Sequence, residues 1–203
     1  MIHLYAIAEP GPPVVLEELR HGDLCGIFAR HGDREPTIEA LERHERVVED
    51  LMAVRTLLPA RFGSVLDDED ELHALLERRA GEFAAALGMV RGRVEIGVRA
   101  RPRSVPDVPA PETGRAYVER KLARLRAARA VQDDMHDPLA ARAHAAVARV
   151  LAEPEPEFAG AYLVDRDTVE AFRACVEEVA DGREVACTGP WPPYSFVGDG
   201  QRG

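Results

Sequence analysis

The chain has 203 residues, 46% of them apolar and 31% charged, with 36 acidic side chains against 26 basic ones. That length allows one large domain or two small ones around a real core, and the apolar share excludes wholesale disorder. A net charge of −10 excludes a general electrostatic grip on nucleic acid, which needs a basic surface to neutralise phosphates. No run approaches the roughly 20 apolar residues that span a bilayer, and Met1-Ile2-His3-Leu4-Tyr5 carries no basic export region, so no membrane partner is expected. Three cysteines (Cys25, Cys175, Cys187) lack CxxC spacing and sit among apolar neighbours, which fits a reduced, cytoplasmic protein. Lys121 is the only lysine, and with the abundant alanine this reads as a GC-rich coding bias.

In chain order, Ile2 to Ala8 reads as a strand that Glu9-Pro10-Gly11-Pro12-Pro13 cannot continue. Leu24 to Ala29 is a second strand, ended by His31-Gly32-Asp33. Thr37 caps a helix to about Arg55 whose apolar residues Leu41, Val48, Leu51 and Met52 fall at helical spacing. Leu57 to Val65 is extended. Asp67 or Asp68 caps a helix with the stripe Leu72, Leu75, Leu76, Phe83 and Leu87, closed by Gly88. Arg93 to Ala100 alternates as a strand, and residues 101–112, with four prolines, form a linker. Two helices are predicted next, 114–131 with Val118, Leu122 and Leu125 on one face, and a second begun by Asp137-Pro138 and reaching Leu151. A strand over 159–164, a helix capped by Asp167, a turn at Asp181-Gly182 and a strand over 183–188 complete the order.

The expected fold is therefore α+β. Residues 1–55 form a small N-terminal β-β-α unit. Residues 56–190 form a ferredoxin-like (split βαβ) domain with a helical-hairpin insertion over 102–151, and 191–203 an aromatic, proline-rich C-terminal tail.

Candidate chemistry is sparse. His44-Glu45 begins like the metal motif HExxH, but Val48 stands at the second histidine position, and no metal or other cofactor is predicted. No phosphate loop, GxSxG elbow or dinucleotide fingerprint occurs, and Asp67-Asp68-Glu69-Asp70 is explained by a helix N-terminus. Two segments stand out because propensity does not require them. In Leu57-Leu58-Pro59-Ala60-Arg61-Phe62-Gly63, a proline and an arginine interrupt an apolar run. In Thr188-Gly189-Pro190-Trp191-Pro192-Pro193-Tyr194-Ser195-Phe196, the only tryptophan stands with Tyr194 and Phe196 among prolines, either packed back on its own domain or offered as anchors to another protein.

Together with the strand Leu4-Tyr5-Ala6-Ile7, the helix block His44-Glu45-Arg46-Val47-Val48-Glu49 and Val94-Glu95-Ile96-Gly97-Val98, these segments resemble the gas vesicle protein L/F family over nearly the whole chain. Ala60 stands where the family commonly has methionine. The resemblance implies a non-enzymatic, gas-vesicle-associated accessory protein that contacts the hydrophobic shell protein and other accessory components. It marks His44, Glu45, Arg61, Phe62, Gly63, Trp191, Pro192, Pro193, Tyr194 and Phe196 as family-motif and possible interaction residues. The alternative is a small-molecule enzyme or ligand-binding protein on a ferredoxin-like scaffold, using His44 or His73 as the acid–base group. RNA binding on the sheet would need exposed aromatics and a basic face, which Val94, Ile96 and Val98 do not supply.

Overall fold

A computed structural model describes residues 1–30, 36–104 and 113–197. The break predicted at His31-Gly32-Asp33, residues 105–112 of the predicted linker and the last six residues of the tail lie outside the described residues. The chain divides into two compact units, Met1–Arg93 with the stretch from Trp191, and Val94–Pro190.

In the first unit the order is β1 (Ile2–Ala8), β2 (Glu17–His21), β3 (Leu24–Ala29), α1 (Ile38–Val54), β4 (Leu57–Pro59), β5 (Val65–Leu66), α2 (Glu69–Arg78) and α3 (Ala80–Val90). The sheet runs β2-β3-β1-β4, with β5 also on β1, and every pairing is antiparallel. All seven residues of β1 are buried, as a central strand covered on both faces requires. Thr37 accepts a hydrogen bond from Ala40 N and starts α1, which buries Ala40, His44, Val48 and Leu51 at helical spacing. Asp68 caps α2 in the same way, accepting from Glu71 N (3.0 Å), and the Glu71 carboxylate reaches back to accept from the amide of Asp67 (2.6 Å), the residue before the cap, which fixes the chain's entry into the helix.

Two local expectations change here. The single helix predicted after Asp68 is two helices, broken at Arg79 (φ −113°, ψ 18°), whose guanidinium lies over the Phe83 ring at 4.7 Å. Gly88 does not close the second of them, because Leu87 and Val90 carry the buried stripe beyond it; the chain turns at Gly92, where φ is +72°. Strand β2, Glu-Glu-Leu-Arg-His, was not predicted. It is a half-exposed edge strand, and its polar composition hides it. Because β4 and β5 pair with β1, residues 56–93 join the N-terminal unit, which differs from the boundary expected at 55/56.

The second unit runs β6 (Arg93–Ala100), α4 (Gly114–Ala140), β7 (Ala145–Leu151), β8 (Glu157–Asp165), α5 (Val169–Ala180) and β9 (Val185–Trp191), in the sheet order β7-β8-β6-β9. This βαββαβ path with its two central strands β8 and β6 is the split βαβ, ferredoxin-like arrangement, begun at β6. The helical hairpin expected over 114–151 is not formed. A single helix of 27 residues runs through Pro138, because its buried stripe Ala128, Val131, Met135 and Leu139 spans the proline. Residues 145–151 then form a strand in register with β8, from Ala145 opposite Leu163 to Leu151 opposite Glu157. Alanine favours helix, but cross-strand pairing along the whole segment overrides that preference.

The core of this unit is built around Tyr162, which is fully buried with its hydroxyl 3.2 Å from His136 Nδ1 and its ring 5.3 Å from that of Phe172. Gly160, two residues earlier on β8, leaves room for that ring: a Cβ there would lie 2.6 Å from Tyr162 Cε2 and 2.8 Å from its hydroxyl. Gly160→Ala is therefore expected to displace the Tyr162 ring and destabilise the protein by about 1–3 kcal/mol, read as a lowered denaturant midpoint. An unchanged midpoint would mean the ring has space to yield.

Candidate functional site

The block Leu57 to Val65 lies along β1 as one strand interrupted by a loop. Leu57, Leu58 and Pro59 pair with Ala8, Ile7 and Ala6, and Val65 and Leu66 pair with His3 and Ile2. Between them, Ala60 N donates to Tyr5 O (2.8 Å) and Leu4 N donates to Ser64 O (2.9 Å). The excursion is a four-residue turn, closed by Ser64 N donating to Arg61 O at 3.0 Å, with Gly63 at φ +85° in its third position. That is the geometry of a type II turn, which favours glycine there. Pro59 is tolerated because β4 is an edge strand.

Breaking the strand turns the Ala60 carbonyl out of the ladder, and α1 answers it. His44 Nε2 lies 2.9 Å from Ala60 O, and since a carbonyl only accepts, Nε2 carries the proton. His44 Nδ1 then accepts from His3 Nε2, also at 2.9 Å. His44 stacks on Tyr5 with centroids 5.1 Å apart and meets Phe62 edge-on at 5.7 Å, and His3 meets Tyr5 edge-on at 4.8 Å. Burial pushes the His44 pKa below its ordinary value, outweighing the Ala60 carbonyl bond, so the imidazole is held neutral.

The motif residues thus separate. His44 is buried and Phe62 half-buried, while Glu45, Arg61 and Gly63 are exposed, so His44 and Glu45 are not brought together. In the C-terminal segment, Pro192, Pro193 and Phe196 are buried, and Tyr194 packs against the first unit's core of Tyr5, Cys25, Val48 and Leu57. Trp191, the last residue of β9, stays 43% exposed. The alternative acid–base candidate His73 lies at the surface with its Nε2 3.4 Å from His21 Nδ1. Among the described residues there is no cluster of three metal-ligating side chains, and no helix is long and apolar enough to cross a membrane.

A second constellation, not predicted, ties the same helix to the sheet. Arg55, at the C-terminal cap of α1 and only 1% exposed in its side chain, donates Nη2 to Glu18 Oε1 (2.6 Å) and to the carbonyl of Pro12. Cys25 Sγ donates to the other Glu18 oxygen at 3.4 Å. Burial opposes charge on Glu18, but the bonds from Arg55 and Cys25 together hold its pKa below the usual value. Burial and the neighbouring Glu18 push the Cys25 thiol up to about 11, so it stays protonated. Sequence carried no signal for the 37-residue separation of Arg55 and Glu18, because β2 itself was hidden.

The comparisons with known proteins agree with one another. A family model described as gas vesicle synthesis protein GvpL/GvpF matches residues 3–198. The chain is 31% identical to gas vesicle protein L of a Streptomyces species, over 97% of this chain and 92% of that one. It is 29% identical to gas vesicle protein F of Haloferax mediterranei, over 84% of this chain and 78% of that one. Crystal structures of GvpF from an Anabaena species and from Microcystis aeruginosa share the fold, with TM-scores of 0.79 and 0.76 at 19% and 17% identity. Each covers 97% of this chain, and the matches take in 95% and 98% of those chains.

Two outcomes follow from the geometry. Arg55→Met leaves the Glu18 carboxylate without its partner and is expected to destabilise by roughly 3 kcal/mol, with Glu18→Gln/Arg55→Met recovering part of the loss in denaturant titrations. For His44, the folded pKa lies below the ordinary 6.5, so below that pH the unfolded chain binds more protons. Its stabilising contribution is complete above the unfolded pKa and is lost as pH falls toward the folded one. Unfolding free energy should therefore drop between about pH 7 and pH 5, with a smaller drop in His44→Gln. Equal slopes in the two proteins would show that His44 is not the titrating group.

Proposed function

This chain belongs to the gas vesicle synthesis protein GvpL/GvpF family, and we propose that it serves gas vesicle formation as a non-enzymatic accessory protein of the cytoplasm. In this reading it binds the hydrophobic shell subunit, other gas vesicle accessory proteins, or both. The observation that carries the proposal is the family match over residues 3–198, which takes in both units and the closing aromatic segment.

The geometry of the motif supports a binding role over a catalytic one. Both ring nitrogens of His44 are engaged, one by the Ala60 carbonyl and one by His3, and its neutral imidazole is walled by Tyr5 and Phe62. A general acid or base needs a nitrogen within reach of substrate, and here the histidine is used to hold α1 against the broken strand. Contact with partners then falls to exposed motif residues, Glu45, Arg61 and Trp191, presented by a frame whose buried members are His44, Phe62, Pro192, Pro193 and Phe196. An assembly subunit with an apolar surface must reach its growing lattice without precipitating. A partner with a net charge of −10 that covers that surface for a time would keep the pair dispersed.

The test is capture from cells co-expressing the tagged chain with the shell subunit and the other gas vesicle proteins. Retention of the shell subunit or an accessory component, reduced in folded Arg61→Ala/Trp191→Ala, is the expected result. If the wild-type chain retains none of them, the proposal fails.

A further inference from the structure

Two histidines with no ligand spacing in the sequence meet on the first unit. His21 ends β2, and His73 lies in the second turn of α2, 52 residues later. His21 Nδ1 and His73 Nε2 are 3.4 Å apart at the surface, with the rings crossed at 81° and their centroids 5.0 Å apart. Among the described residues neither ring has another hydrogen-bond partner.

The backbone, not the histidines, sets this approach. His21 pairs with Leu24 across a hairpin that turns at Gly22 (φ +58°), which fixes the end of β2. On α2, the fully buried Leu72 precedes His73 and presses onto β3 so closely that a Cβ on Gly26 would lie 2.9 Å from Leu72 Cδ2. Helix and hairpin are thus held together by packing, and regular elements present both imidazoles.

A neutral imidazole offers one nitrogen lone pair and is the commonest side-chain ligand of transition metals. The 3.4 Å separation is long for a direct hydrogen bond from a ring N–H, ordinarily about 2.7–3.2 Å. It fits two ligands of one tetrahedral ion: with Zn–N of about 2.0–2.1 Å, neighbouring nitrogens stand about 3.3–3.4 Å apart. Ligands at right angles on a square-planar or octahedral ion would be drawn to about 3 Å. Magnesium and calcium take oxygen ligands and are not served by the pair.

We propose that His21 Nδ1 and His73 Nε2 chelate a zinc ion that clamps α2 onto the edge strand β2. Each ring binds in the neutral form that keeps its proton on the far nitrogen, Nε2 of His21 and Nδ1 of His73. Among the described residues no third histidine, cysteine or carboxylate joins them, so water fills the two other positions of the ion. The clamp ties residues 52 apart and stabilises the folded chain to the extent that zinc binds it better than the unfolded one. It is a second tie on β2, whose Glu18 already holds Arg55 at the end of α1.

The probe is zinc itself, titrated into the full chain without an affinity tag, against a chromogenic chelator at about pH 7.5, where free imidazole is neutral. One ion per chain is expected to bind, and excess magnesium should not displace it. His21→Gln and His73→Gln, checked for folding by circular dichroism, should each weaken binding about tenfold or more, while His144→Gln on the second unit leaves it unchanged. Zinc should also raise the thermal midpoint of the wild type by about 2–4 °C or more, and that of neither pair variant. No saturable binding, displacement by magnesium, wild-type binding in the pair variants, equal weakening by His144→Gln, or a wild-type midpoint that zinc does not raise overturns the proposal.

Discussion

A strand that leaves its ladder in the middle of a protein must hand its freed carbonyl to something, and the first unit is organised around one such transfer. β1 is buried along its whole length and is flanked on one side by a partner broken at Ala60. The His44 imidazole accepts the task, but only with its proton on Nε2, and that tautomer in turn requires a donor for Nδ1, which His3 supplies. One local break thereby fixes the position of α1 against β1, the identity of two residues 41 apart, and the aromatic walls that keep water from the pair. The Arg55–Glu18 pair anchors the opposite end of the same helix.

The turn that causes the break is also what presents Arg61 to solvent. Gly63 can take its positive φ without a side-chain penalty, Phe62 folds inward against the histidines, and the arginine between loop and strand is left outside. Buried and exposed members of one short motif therefore differ in what they touch: Phe62 and His44 pack against each other, and Arg61 meets solvent.

Much of this architecture was readable where the hydrophobic pattern was unambiguous. The continuous apolar run of β1, the alternation of Val94, Ile96 and Val98 in β6 and the Thr37 cap of α1 are local signals, and the structure follows them. What was not readable is set by partners distant in sequence. Alanine-rich residues 145–151 read as helix until β8 pairs with them, and polar β2 becomes a strand only beside β3. Pro138 looks like a helix start until the stripe Val131, Met135 and Leu139 is seen to continue across it. In the candidate site the blocks around His44 and Arg61 drew notice as sequence, whereas His3 did not: its role exists only once β1 and α1 are packed.

The path of the chain ties completion of the first unit to the far side of the second. The second unit is nested within the first: the chain departs at Arg93, returns at Trp191, and does so through β6 and β9, which are neighbours in one sheet. The first unit therefore receives Tyr194, which packs on its core, from chain that has already run through the whole of the second. Cleavage after β9 and before Tyr194 would leave every strand of the βαββαβ sheet in place and take the closing aromatic residue from the core of the first unit.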